Sequence, residues 1–78
     1  MLLSEALQIR IKTLLDEKNM SAWKLYKATG VPKSTINDII SGTSRSPQQR
    51  TILHLCEGLG ITLRQFYNDD IFDDVEDD

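Results

Sequence analysis

The four residues Thr29-Gly30-Val31-Pro32 constrain this chain more than any others. Gly30 takes a positive φ at little cost and so stops a helix. Two positions later Pro32 opens another, because its missing N–H costs nothing in a first helical turn, and it drives Val31 into an extended conformation. Two short helices joined this tightly cross near the perpendicular, and the second is pushed outward. The first runs over residues 22–29, with Ser21 as its N-cap and Leu25 facing inward. The second is predicted over 32–41, with Ile36, Ile39 and Ile40 to bury and Gly42 to end it.

The remainder also reads as helix. Leu7, Ile11, Leu14 and Leu15 recur at helical spacing within residues 4–18, leaving Arg10, Lys12, Asp16 and Glu17 on other faces. Thr43-Ser44-Arg45-Ser46 is a loop by composition. Ser46-Pro47-Gln48-Gln49 predicts a fourth helix with Ser46 as N-cap, Pro47 at the first position and Gln49 completing a capping box. Its apolar stripe is Ile52, Leu55, Cys56 and Leu59, and Gly58 and Gly60 weaken and end it. Thr62 and Gln65 repeat the capping-box spacing before a short fifth helix that carries Leu63, Phe66 and Tyr67. No period-two pattern occurs, so the expected class is all-α, five helices with the helix-turn-helix formed by the second and third.

With 78 residues, 40% of them hydrophobic, the chain suits one small core. No apolar run is long enough for a membrane span. The first residues, Met1-Leu2-Leu3-Ser4-Glu5, show no basic region or cleavage site, so a cytoplasmic protein is expected. A lone cysteine and a lone histidine offer neither an internal disulfide nor a zinc cluster, and neither a catalytic set nor a cofactor-binding loop is evident. Cys56 reads as a core thiol, His54 as a surface residue, Trp23 as a packing residue with an exposed edge. Lys24 and Lys27 are a solvated face unless the adjacent corner brings phosphate to them.

The net charge of −3 argues against nucleic acid until its distribution is considered. Residues 1–68 carry nine basic and five acidic side chains, a balance of +4, whereas residues 69–78 hold seven acids and no base. The reading is therefore a mildly basic domain, 1–68, followed by an acidic and flexible tail, 69–78. Ile71, Phe72 and Val75 interrupt the acids, so the tail is also a candidate for docking on a partner or for lying over the basic surface as a DNA mimic.

The outward face of the third helix offers Lys33, Ser34, Asn37, Asp38 and Ser41, side chains suited to base-edge donors and acceptors. Together with Met20-Ser21, Leu25, Thr29-Gly30-Val31, Ser34-Thr35-Ile36, Ile39-Ile40-Ser41-Gly42, Pro47, Leu59-Gly60-Ile61-Thr62 and Phe66, it resembles the lambda-repressor/Cro-like (XRE-type) helix-turn-helix family over residues 5–68. The resemblance implies that Pro32, Lys33, Ser34, Asn37 and Asp38 face bases. It further implies that Ser21, Ala22, Lys27, Thr35, Ser41, Ser44, Arg45 and Gln48 meet phosphate. Tyr26 stands where the family often has a small residue, and Ala22 lacks an amide that often binds phosphate there. The function implied is a transcriptional regulator, a repressor occupying an operator in double-stranded DNA. With few cations per copy, a homodimer on a palindrome is expected, through Leu63, Phe66 and Tyr67 of the fifth helix. The rival reading is a protein-interaction module of the same fold, an antitoxin-like or anti-repressor partner engaging protein through helix five or the tail.

Overall fold

A computed structural model describes every residue except Arg45. Among the described residues the chain forms α1 (Leu3–Glu17), α2 (Ala22–Thr29), α3 (Lys33–Ser41), α4 (Gln49–Leu59) and α5 (Leu63–Tyr67). A single 3₁₀ turn follows at Asp70–Phe72. None of these helices is long and apolar enough to cross a membrane.

Local chemistry explains most boundaries. The Ser21 hydroxyl accepts from the Lys24 amide, and Thr62 and Gln65 form the reciprocal capping box at α5. Gly30, Gly42 and Gly60 end α2, α3 and α4 in the left-handed region, at φ of 74°, 78° and 74°. Two starts differ from the sequence expectation. Pro32 is the N-cap of α3 rather than its first helical residue, because its ψ of 139° is still extended. Likewise α4 is capped by Gln48, not Ser46, and begins at Gln49. With Gln48 as N-cap, Gln49 stands at the first helical position and cannot close the expected capping box; its side chain instead accepts from the Tyr67 hydroxyl at 3.0 Å.

The helices close over one core. α1 packs on α3, and α2 packs on both α3 and α4. Ile11, Leu25, Ile36, Ile39, Ile52, Leu55, Cys56 and Phe66 are almost wholly removed from water. Burial raises the Cys56 thiol pKa, an effect that the nearby Arg10 charge opposes. Phe66 therefore is not the exposed dimer contact that the sequence suggested. Its ring is in the core, edge-on to Tyr67 at 4.9 Å between centroids.

Composition alone suggests a flexible end, and the structure lays residues 69–78 against the domain. They turn back along the domain and return to α1. Phe72 packs on Phe66 and Tyr67, with centroids 6.0 and 5.1 Å away. Leu2 and Glu76 pair as an isolated parallel bridge, the Leu3 amide donating to the Glu76 carbonyl and the Glu76 amide to that of Met1, both at 2.9 Å. The Ser4 amide and hydroxyl both donate to the Asp78 carboxylate. A carboxylate there meets the unpaired amides and positive dipole end of α1, a favourable position for negative charge. The apolar residues among the acids explain the difference: Phe72 has a place in the protein's own core cluster.

Candidate nucleic-acid interface

The corner is built from the inside. Leu25 of α2 is fully buried, Val31 fills the turn, and Ile36 and Ile39 anchor α3 beneath them. The Thr29 hydroxyl donates to the Leu25 carbonyl at 2.8 Å and accepts from the Val31 amide at 3.1 Å, tying the turn to the helix before it. Gly58 lets α4 approach this corner: a Cβ there would lie 2.2 Å from Thr29 Cγ2. The sequence reading took Gly58 only as a helix-weakening residue, and a close approach across 29 residues leaves no local signal.

With its apolar side pinned, α3 must present the other side to water. Pro32, Lys33, Ser34, Asn37, Asp38 and Ser41 are all exposed, and Thr35 is half-buried. Within α3, positions 33, 37 and 41 and positions 34, 38 and 41 lie on adjoining rows, since residues three and four apart are helical neighbours. Around this ridge Ser21, Lys27 and Gln48 are exposed, while Ala22 and Ser44 are half-buried. Arg45, also expected to meet phosphate, lies outside the described residues.

The far end of α3 is tightly bound. The Asp38 carbonyl accepts from the Thr43 and Ser44 amides at 2.9 and 3.0 Å. The Ser41 and Thr43 hydroxyls also donate to it, each at 3.2 Å, and the Thr43 hydroxyl reaches the Asp38 carboxylate at 3.4 Å. The Ser41 hydroxyl is thus part of the cap as well as of the exposed ridge.

Three residues outside the sequence-predicted set shape this surface. From α1, Gln8 donates through Nε2 to the Ile40 carbonyl at 2.8 Å, holding the last turn of α3. Arg10, on a face of α1 away from its Leu7–Ile11–Leu14 stripe, is mostly covered. Its Nε and Nη2 donate to the Phe66 and Gln65 carbonyls at 2.7 and 2.8 Å, and its Nη1 pairs with Asp69 at 3.2 Å. Trp23 is 52% exposed, with Lys33 Nζ 5.0 Å and Lys27 Nζ 5.4 Å from its ring centroid. The Trp23–Lys27 spacing of four was the one signal of this cluster present in the sequence.

A family model for the Cro/C1-type HTH DNA-binding domain matches residues 10–72, which spans all of α2 to α5. The chain belongs to that family. It is a helix-turn-helix DNA-binding domain, with α2 and α3 as the helices on either side of the turn. A solved structure, the crystal structure of the prophage Lp1 protein 11, is similar throughout. It has a TM-score of 0.81 and 25% sequence identity, covering 96% of this chain and 100% of that one. No curated protein matches the chain. The family match runs past residue 68 into the 3₁₀ turn, where Phe72 joins the core cluster.

Proposed function

We propose that this Cro/C1-type domain is a sequence-specific transcriptional regulator, a repressor that occupies its operator with α3 in the major groove. One observation carries the reading: the exposed ridge of Lys33, Ser34, Asn37 and Asp38, set opposite buried Ile36 and Ile39. These side chains and Pro32 face base edges, where amides and ammonium groups find distinct donor and acceptor patterns. Ser21, the amide of Ala22 at the start of α2, Lys27, Thr35, Ser41, Ser44, Arg45 and Gln48 fix the register through phosphate.

Few cations serve one copy, so two copies share a palindromic site whose half-site centres lie about 34 Å apart. Selection of bound duplexes from a random library tests the whole reading. The expected product is a palindrome bound with a steep salt dependence, about 0.9 of a logarithmic unit per phosphate neutralised. Lys33→Ala and Asn37→Ala are each expected to relax preference at one base pair, at a cost of about 1–3 kcal/mol. A library with no enriched sequence and a flat salt response overturns the reading and favours a protein-binding role for the same fold.

A further inference from the structure

We propose that Trp23 is a specificity-determining positioning residue: its indole face holds the Lys33 ammonium at the start of α3 and so fixes which base pair that lysine reaches. The proposal rests on the reading of α3 as the recognition helix and deepens it. An isolated lysine is a poor reader. Its ammonium is a strongly hydrated point charge on a stem with four rotatable carbons, and much conformational freedom must be lost before it marks one base.

In this chain the freedom is already restricted. Lys33 Nζ stands 5.0 Å from the indole centroid, within the range of cation–π attraction, for which tryptophan is the best ring. The ring is itself held from below. Tyr26, half-buried and packed against the core cluster, lies 5.5 Å from Trp23 at an interplanar angle of 49°. The contacts therefore run from core to Tyr26, to Trp23 on α2, and across the corner to the first residue of α3.

Burial does not explain the position of Trp23, since half of its surface is open to solvent. What its ring carries is charge. Lys27, one turn along α2, sits over it as well at 5.4 Å. Two like charges drawn to one ring repel each other, and a phosphate nearby relieves that repulsion at Lys27 while Lys33 keeps its place on the indole. A bound duplex also removes water from the ring, which strengthens cation–π attraction.

Two measurements on the full chain test this. In the free protein, NMR should show the Lys33 side-chain methylene protons shifted upfield by the indole ring current. The shift should vanish in Trp23→Leu, which keeps apolar packing on Tyr26 without a π face. Unshifted protons in the unsubstituted protein overturn the platform whatever happens with DNA.

Duplex selection is then repeated with Trp23→Leu, Trp23→Phe, Lys33→Ala and the Trp23→Leu/Lys33→Ala pair. Trp23→Leu is expected to lose discrimination only at the base pair relaxed by Lys33→Ala. The loss should be about fivefold for an exposed contact, rising to about thirtyfold for one desolvated by the duplex. Trp23→Phe should restore part of it, and the double variant should be no worse than Lys33→Ala alone. Equal weakening on every duplex, relaxation at a different base pair, or additive losses each overturn the proposal. If Lys33→Ala relaxes a base pair and Trp23→Leu does not, the platform falls and the recognition reading stands. If neither Lys33→Ala nor Asn37→Ala changes base preference, the recognition reading falls and takes the platform with it.

Discussion

Gln8, in α1, donates to the carbonyl of Ile40, in the last turn of α3, across 32 residues of sequence. The contact matters because the last carbonyls of a helix have no partner within it, and this one is partly buried. The same side chain lies under Gly42, where an added Cβ would come within 2.9 Å of Gln8 Oε1. The end of α3 is thus seated on α1 rather than merely beside it.

Gln8→Ala should cost about 1 kcal/mol, the usual net worth of a hydrogen bond. Gln8→Glu should cost more, since a carboxylate presents only acceptors to the Ile40 carbonyl. Chemical denaturation gives the ordering, and amide exchange at Thr43 and Ser44 should speed up in both variants. Equal stability of Glu and Gln at this position would remove the contact from the account.

Gly58→Ala tests the close approach of α4 to the corner. Intrinsic helix propensity alone favours alanine by about 1 kcal/mol. Against this stands the 2.2 Å distance to Thr29 Cγ2, which no real Cβ contact tolerates. Overpacking costs about 1–3 kcal/mol, so net destabilisation is expected, with the strain placed in the turn itself. The thermal midpoint should fall, and pairing the change with Thr29→Ser should recover part of the loss. A raised midpoint in the single variant would contradict the packing described.

Arg10 closes α5 and the start of the acidic segment at once, through two carbonyls and one carboxylate. Lysine cannot reproduce this fork of donors. Arg10→Lys and Arg10→Ala should therefore both destabilise, the second by about 2–3 kcal/mol. Much of that loss should survive in high salt, because two of the three acceptors are neutral carbonyls. A loss abolished by salt would reduce Arg10 to an ordinary surface ion pair.

Removal of residues 69–78 should lower the thermal midpoint, since it takes away both the Phe72 packing and seven acids that complement a domain of +4. Phe72→Ala alone should account for about 1–2 kcal/mol of it, less than the 3–5 kcal/mol of a fully buried phenylalanine. A midpoint unchanged by both would return the segment to the role of a flexible end.

The legible parts of this fold are those whose causes are local. Ser21, Gly30, Gly42, Gly60 and the Thr62–Gln65 box mark helix ends through neighbours two to four residues away, and the inward set Leu25, Val31, Ile36 and Ile39 follows from helical spacing. The exposed ridge of α3 is legible for the same reason. Gln8, Arg10 and Gly58 were not, because their partners lie 29 or more residues away and nothing beside them in sequence requires a partner. The start of α4 falls two residues after Pro47, and the contact of Gln49 with Tyr67 across 18 residues leaves no local signal. The packing of the acidic segment has no local signal either, because composition weighs seven charges and overlooks where one phenylalanine can go.

Cys56, fully buried at the centre of the bundle, gives the protein an internal clock. The Cys56 thiol cannot attack a disulfide reagent added to the native protein until the core opens, and this chain carries no other thiol to confuse the signal. The rate of labelling therefore counts excursions of the core, and a bound duplex, by favouring the closed form, should slow it in proportion to occupancy. The raised thiol pKa sets the direction with pH. The unfolded chain ionises first, so the stability contributed by the protonated thiol is present below the ordinary thiol range and declines as pH rises through it.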